Sequence, residues 1–142
     1  MKQYFSTSEN DTMQIAADFA KECSGGTVIA FTGGLGMGKT AFTRGFLRGL
    51  NNNARVSSPT FALVNDYGGT PTVYHFDMYR VGDIDDLYST GYFDYLSEDA
   101  MLLIEWSENI TDFLPENTVF VEIRKGEQDN ERIITIRNGE NE

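Results

Sequence analysis

The strongest chemical signal in the sequence is a phosphate-binding pattern of eight residues, G-x-x-x-x-G-K-[ST], which is matched without a gap by Gly33-Gly34-Leu35-Gly36-Met37-Gly38-Lys39-Thr40. Its glycines let backbone N–H groups turn inward around phosphate oxygens, because no Cβ stands in the way. Lys39 has the reach to contact the β- and γ-phosphates, and the Thr40 hydroxyl is a ligand for Mg²⁺. The sequence therefore predicts a site for a nucleoside triphosphate with Mg²⁺.

A site of this kind also needs an acid at a strand end, to hold Mg²⁺ or its waters, and a group that orients the attacking water. Three acids compete for these roles: Asp66, Asp77 and Glu105. Asp66 starts a D-x-x-G pattern typical of GTPases, but those proteins also read guanine with an Asn-Lys-x-Asp motif. None of the four lysines follows an Asn or a Thr. This favours adenine over guanine and weakens the case for Asp66.

The elements around the loop are the ones that the motif requires. Thr27–Thr32 is a short apolar run typical of a buried strand, and apolar residues from Ala41 to Leu50 recur at helical spacing. The order is therefore strand, glycine loop, helix, which directs a helix amino terminus at the bound anion. An earlier helix is predicted behind Ser8, Asn10 and Asp11, which offer capping side chains, with apolar positions from Ile15 to Cys23.

The rest of the chain predicts a single α/β domain over residues 1–142. Further strands are expected at Thr60–Val64, Thr72–Asp77 and Met101–Glu105, and a short helix within Asp83–Thr90. Alternating residues predict an antiparallel pair at the carboxyl end, Thr118–Arg124 with Glu131–Arg137, followed by a frayed tail at 138–142. We expect a mostly parallel or mixed sheet flanked by helices. His75 and Asp77 are two apart on one strand and share a face, which makes His75 a candidate wall of the site rather than a base.

Composition limits the classes of partner. The formal charge is −11, so the chain by itself is a poor match for DNA or RNA phosphates. Any role in a nucleic-acid pathway is expected to run through protein partners; the alternative is that the acidity only keeps the chain soluble. No apolar run approaches the roughly 20 residues that a membrane span needs. The first six residues include one lysine and no apolar run, so no signal peptide is expected. The single cysteine, Cys23, excludes an internal disulfide and fits a cytoplasmic protein.

Together these motifs resemble the TsaE family, the small bacterial P-loop ATPases of tRNA threonylcarbamoyladenosine biosynthesis. The resemblance covers about Ser8 to Arg124. Besides the phosphate-binding loop, the matching segments are Thr43-Arg44-Gly45, Ser58-Pro59-Thr60-Phe61, Tyr74–Arg80, Gly91–Tyr95 and Ile104-Glu105-Trp106. The resemblance implies a P-loop fold, with ATP and Mg²⁺ as ligands.

The resemblance also implies roles for individual residues. Glu105 would hold Mg²⁺ directly or through water, together with Thr40, and Asp77 would position or activate the attacking water. Thr60 would lie in a switch-like loop that faces the γ-phosphate. Glu9 or Thr12 would lie beside the adenine or ribose, and Arg132 can approach the nucleotide.

The implied partners are the TsaD and TsaB-like proteins that form the threonylcarbamoyl group on adenosine 37 of tRNA. No arginine finger is evident within the chain, and Arg80 is the nearest candidate, so hydrolysis by the chain alone is expected to be slow. Two other functions stay open. A small-molecule kinase shares the phosphate-binding loop but usually has a cluster of arginines in a lid, and a regulatory subunit would sense ATP without hydrolysing it.

Overall fold

The computed structural model describes residues 1–33, 38–56 and 63–139. Its strands are β1 Lys2–Ser6, β2 Val28–Thr32, β3 Val64–Asp66, β4 Val73–Asp77, β5 Met101–Glu105, β6 Val119–Lys125 and β7 Arg132–Asn138. Its helices are α1 Glu9–Glu22, α2 Lys39–Gly49, α3 Ile84–Ser89 and α4 Tyr92–Leu96, with a 3₁₀ helix at Ser107–Phe113. Leu35, Gly36, Met37 and Thr60, each predicted to contact the nucleotide, lie outside the described residues, as do Ser58 and Pro59.

The strands form one mixed sheet in the order β1-β7-β6-β2-β5-β4-β3. The four central strands, β6, β2, β5 and β4, are parallel to one another, whereas β3, β7 and β1 join antiparallel at the edges. The predicted mixed α/β fold with an antiparallel carboxyl-terminal pair is confirmed. The parallel centre aligns the carboxyl ends of β2, β4 and β5 on one edge of the sheet, which is where ligands bind in folds of this type.

Burial on both faces explains the sequence of the central strands. In β2, β4 and β5 the first four residues are buried, and only the last residue of each strand reaches solvent. One face of the sheet packs on α1 and α2, and the other packs on α3, α4 and the 3₁₀ helix. Continuous apolar runs of this kind are typical of parallel strands covered by helices. The last residues of β4 and β5 are Asp77 and Glu105.

Close packing holds α1 against α2. A Cβ placed on Gly45 would lie 2.1 Å from the backbone oxygen of Met13, and one on Gly49 would lie 2.4 Å from that of Ala17. Since backbone atoms cannot rotate away, only glycine allows this approach. The starts of both helices line the cleft described below, so these glycines help to position its residues.

Some element bounds differ from those expected within the described residues. Of the strand expected at Thr60–Val64, residues 60–62 lie outside the described residues, and strand β3 runs from Val64 to Asp66, next to the β3–β4 turn. The short strand β1, which pairs with β7, was not predicted. Of the tail expected at 138–142, Asn138 belongs to β7 and the Gly139 N–H donates to the Thr118 carbonyl, and the remaining residues lie outside those described. Among the described helices, none has the length and apolar character needed to cross a bilayer.

Candidate functional site

The amino terminus of α2 has the properties of an anion site. The helix begins at Lys39 behind Gly38, which has φ 101°, and it has neither a side-chain cap nor an acidic residue in its first turn. The first N–H groups are therefore left for a ligand, and the helix dipole favours a negative one. A Cβ on Gly38 would make ordinary contact with Ile123 Cγ2 at 3.7 Å, so glycine is favoured there by its positive φ rather than by lack of space.

Lys39 and Gly33 join the two ends of the phosphate-binding loop. The Lys39 ammonium donates to the Gly33 carbonyl at 3.3 Å, across the residues between them. Gly33 has φ 102°, and a Cβ there would lie 3.0 Å from the Ile123 carbonyl oxygen. Glycine is thus required at Gly33 both by the backbone conformation and by the neighbouring strand β6.

A cleft of about 630 Å³ lies in front of this helix end. Its volume is in the usual range for small-molecule sites, about 300–1,000 Å³. The lining residues come from the start of α1, the start of α2, the end of β5 and the β6–β7 turn: Ser8, Glu9, Thr12, Gly38, Lys39, Thr40, Ala41, Arg44, Glu105, Asn130 and Arg132. Cations and uncapped N–H groups that line one cleft together with the Glu105 carboxylate suit a phosphate chain with a divalent cation.

The two strand-end acids lie side by side. Asp77 of β4 is in register with Glu105 of β5, and in a parallel pair such neighbours project from the same face. Glu105 lines the cleft. The Asp77 carboxylate accepts the backbone N–H of Tyr79 at 2.9 Å, which fixes its orientation at the end of the strand. The structure thus brings together two of the three candidate acids.

Asp66, the third acid, lies elsewhere. It pairs with Tyr74 near the beginning of β4, at the end of the strand opposite to Asp77. Its carboxylate accepts the N–H of Gly68 at 2.8 Å, as expected of an Asp that stabilises a tight turn. The D-x-x-G pattern is therefore the turn of the β3–β4 hairpin. This agrees with the sequence analysis, in which the missing guanine-binding motif weakened the case for Asp66.

His75 contacts the site acid directly. Its side chain is buried, with the residue 2% exposed, and its Nε2 lies 2.5 Å from Oε2 of Glu105. On the other side of the ring, Nδ1 lies 2.8 Å from the hydroxyl oxygen of Tyr67. His75 thus lies behind Glu105 and lines the cleft only through it.

The amino-terminal segment is locked in place by side-chain hydrogen bonds. Ser8 caps α1 by accepting the Asp11 N–H at 3.0 Å. Asp11 in turn accepts the backbone N–H and the hydroxyl of Thr7, and these bonds lower the pKa of its carboxyl. Thr12 is buried, and its hydroxyl lies 2.7 Å from that of Ser6. Glu9 is exposed at the cleft and is the freer of the two predicted nucleoside contacts.

Three polar cleft residues received little or no weight from sequence reasoning: Arg44, Asn130 and Arg132. The Arg132 guanidinium donates from Nη1 to the carbonyls of Asp129 and Glu131, at 2.7 and 2.8 Å, so it is held beside the loop before any ligand arrives. Asn130 donates to the Thr7 carbonyl at 2.9 Å and ties the β6–β7 turn to the start of α1. Arg80 lies in the exposed turn after β4.

A divalent cation would find few protein ligands here. Within the described residues, no group of three or more His, Cys, Asp and Glu side chains is arranged to hold a metal. Mg²⁺ commonly binds through one or two protein oxygens together with substrate phosphates and water. Thr40 and Glu105, which line the same cleft, fit that smaller requirement.

Comparison with known proteins agrees with this geometry. The family described as "Threonylcarbamoyl adenosine biosynthesis protein TsaE" matches residues 6–134. The tRNA threonylcarbamoyladenosine biosynthesis protein TsaE of Haemophilus influenzae is 42% identical over 97 residues, which are 68% of this chain and 61% of that protein, so less than two thirds of the relative is spanned. The protein of the same name from Bacillus subtilis is 36% identical over 124 residues, 87% of this chain and 75% of the relative.

A solved structure is similar over nearly the whole chain. The crystal structure of YdiB from Bacillus subtilis superposes with a TM-score of 0.77 at 29% sequence identity, covering 96% of this chain and 84% of that one. The family match extends from the end of β1 into β7, and so includes every described segment that lines the cleft. On this evidence of sequence and fold, the chain belongs to the TsaE family of tRNA threonylcarbamoyl adenosine biosynthesis proteins.

Proposed function

We propose that this chain binds ATP with Mg²⁺ in the cleft in front of α2 and hydrolyses the γ-phosphate slowly, as the ATPase subunit of a protein complex that forms threonylcarbamoyl adenosine in tRNA. The observation that carries the proposal is an uncapped helix amino terminus that lines one cleft together with Glu105, the acid that is in register with Asp77 on the neighbouring strand. Membership in the TsaE family supports the pathway. The proposed place of action is the cytoplasm.

Residues in and around the cleft have the following proposed roles. The backbone N–H groups from Gly38 onward and the Lys39 ammonium bind the phosphates, and Arg132 adds a positive charge beside them. Thr40 and Glu105 hold Mg²⁺, which neutralises charge on the phosphates. Asp77 orients the attacking water and receives its proton. Leu35, Gly36 and Met37 complete the phosphate cradle, and Thr60 contacts the γ-phosphate side.

The charge of the chain bears on its partners. With a net charge of −11, it is repelled by RNA at long range, so the contact with tRNA is assigned to partner proteins of the TsaD and TsaB-like type. Hydrolysis then drives a conformational step in that complex, rather than transfer of phosphate to a metabolite. The arginines at the cleft come from α2 and β7, and the described residues include no arginine-rich lid of the kind a small-molecule kinase closes over its substrate.

The test is to measure nucleotide binding and hydrolysis separately. Lys39→Ala should abolish ATP binding, whereas Asp77→Asn should keep it and lower turnover by about 10²–10⁴-fold, the range for loss of a general base. Asp66→Asn is the matched control, since that acid lies at the other end of the β4 strand and should change neither quantity. Normal turnover in Asp77→Asn would refute the hydrolytic role and leave an ATP-sensing subunit.

A further inference from the structure

Glu105 is held from behind by a hydrogen-bonded chain of two residues. Its side chain is only 19% exposed, and its Oε2 lies 2.5 Å from Nε2 of His75. A carboxylate accepts hydrogen bonds, so Nε2 must carry the proton of the ring. On the other side of the ring, Nδ1 lies 2.8 Å from the Tyr67 hydroxyl oxygen, within hydrogen-bond distance. Hydrogen bonds thus link the Tyr67 hydroxyl to the His75 ring and the His75 ring to Glu105.

The two supporting residues are themselves fixed by the fold. His75 lies on β4 beside the buried strand β5 and is 2% exposed. Tyr67 belongs to the β3–β4 turn, where its N–H donates to the Val73 carbonyl at 2.9 Å. Its own carbonyl accepts the side-chain amide of Asn52, at 3.2 Å, from the segment after α2. The ring of His75 therefore has little freedom to turn or to release Glu105.

We propose that His75 and Tyr67 are positioning residues, which orient the Glu105 carboxylate for Mg²⁺ by occupying Oε2 and leaving the other oxygen for the cation or its water. This inference rests on the proposed function and deepens it. Hydrogen-bonded partners behind a metal ligand usually fix its orientation, and their loss lowers metal affinity by about 10–100-fold. His75 and Glu105 are both largely buried, so their contact is held in one geometry by the surrounding structure. Exposed ion pairs, by contrast, are seldom held in a single geometry.

The first test measures Mg²⁺ affinity rather than activity. Mg²⁺ is titrated calorimetrically into the protein with ADP present, and ADP binding in EDTA is measured alongside. His75→Leu should weaken Mg²⁺ binding by about 10–100-fold while ADP binding in EDTA stays within about twofold of wild type. His75→Gln, whose amide can still donate near the position of Nε2, should recover most of the loss. Wild-type Mg²⁺ affinity in folded His75→Leu would overturn the proposal.

A matched pair of tyrosine variants separates orientation from folding. Tyr67→Phe removes only the hydroxyl that is hydrogen-bonded to His75 and should weaken Mg²⁺ binding by about 3–10-fold, less than loss of the ring itself. Tyr74→Phe removes a hydroxyl that donates to Glu98 at 3.1 Å on the other face of the sheet and should leave Mg²⁺ binding unchanged. Equal effects of the two variants would overturn the proposal.

The second test needs no ligand. Because His75 is the only histidine, ¹⁵N spectra of the imidazole report on this ring alone. The wild type should show a proton on Nε2 that is protected from exchange, and Tyr67→Phe should shift the Nδ1 resonance. An Nε2 without a proton, or with a proton that exchanges freely, would contradict the hydrogen bond to Glu105. A wild type that binds no nucleotide would instead refute the proposed function and leave this spectroscopic result intact.

Discussion

Replacing Gly45 by alanine should force α1 and α2 apart, because the added Cβ has no room. It would lie 2.1 Å from the Met13 oxygen and 2.5 Å from the Met13 Cα, whereas ordinary contact begins at 3.4 Å. Relief requires the helices to separate by an ångström or more. A gap of about 0.5–1 Å already forfeits a quarter to a half of the dispersion energy of each contact.

Two effects oppose each other at this position. Alanine in the middle of a helix is favoured over glycine by about 1 kcal/mol. Overpacking of a tight interface typically costs about 1–3 kcal/mol, and occasionally more. The contact here is with backbone atoms, which cannot change rotamer, so the upper part of that range applies. We expect Gly45→Ala to lower the free energy of unfolding by about 1–2 kcal/mol, which is the upper part of the overpacking range less the helix preference.

Urea denaturation followed by circular dichroism measures this change, with Gly82→Ala as the control. A Cβ on Gly82 would meet only the Asp86 carboxylate at 3.5 Å, an ordinary contact. Since α1 carries Glu9 and α2 carries Lys39, Gly45→Ala should also weaken nucleotide binding. A Gly45→Ala protein as stable as the wild type would refute the packing argument.

Three further predictions concern single side chains. Arg132→Gln should weaken ATP binding by about tenfold at low salt, because a positive charge at the cleft is lost. Arg137→Gln removes the same charge from a guanidinium that lies 4.3 Å from the centre of the Phe120 ring, and it should leave ATP binding unchanged. Equal losses of affinity in fluorescence titrations would contradict this prediction. Burial raises the pKa of the Cys23 thiol to about 12, so its reaction with a disulfide reagent at pH 8 should be at least ~100-fold slower than that of the urea-unfolded chain; equal rates would refute it. Ser107→Ala removes a buried hydrogen bond of 3.0 Å to the Phe31 carbonyl and should lower the free energy of unfolding by about 1 kcal/mol, measured by urea denaturation. An unchanged free energy of unfolding would contradict this prediction.

Local patterns predict the parts of the site that lie close together in sequence. The strand, loop and helix around Lys39 follow from an apolar run, glycines and helical spacing, and Ser8 marks the start of α1. Glu105 and Asp77 were candidates because each ends an apolar run, and parallel pairing in register then sets them side by side. These features need only the spacing of residues within one element.

Contacts between distant segments escape such reasoning. The approach of Arg132 to the phosphate-binding loop depends on β7 pairing with β6, which itself pairs with β2. Strand β1 is short and largely polar, and its only strand partner in the described sheet is β7, from the other end of the chain. The bond from Tyr67 to His75 depends on where the β3–β4 hairpin turns. Each of these features follows from strand order and register, which cannot be read from a short stretch of sequence.

The central claim joins nucleotide binding at Lys39 to the modification of tRNA. The most direct measurement is mass spectrometry of tRNA nucleosides from cells depleted of this protein and supplied with the wild type or Lys39→Ala. Depletion should lower threonylcarbamoyl adenosine, the wild type should restore it, and Lys39→Ala should not. Unchanged threonylcarbamoyl adenosine on depletion, or full rescue by Lys39→Ala, would contradict the account.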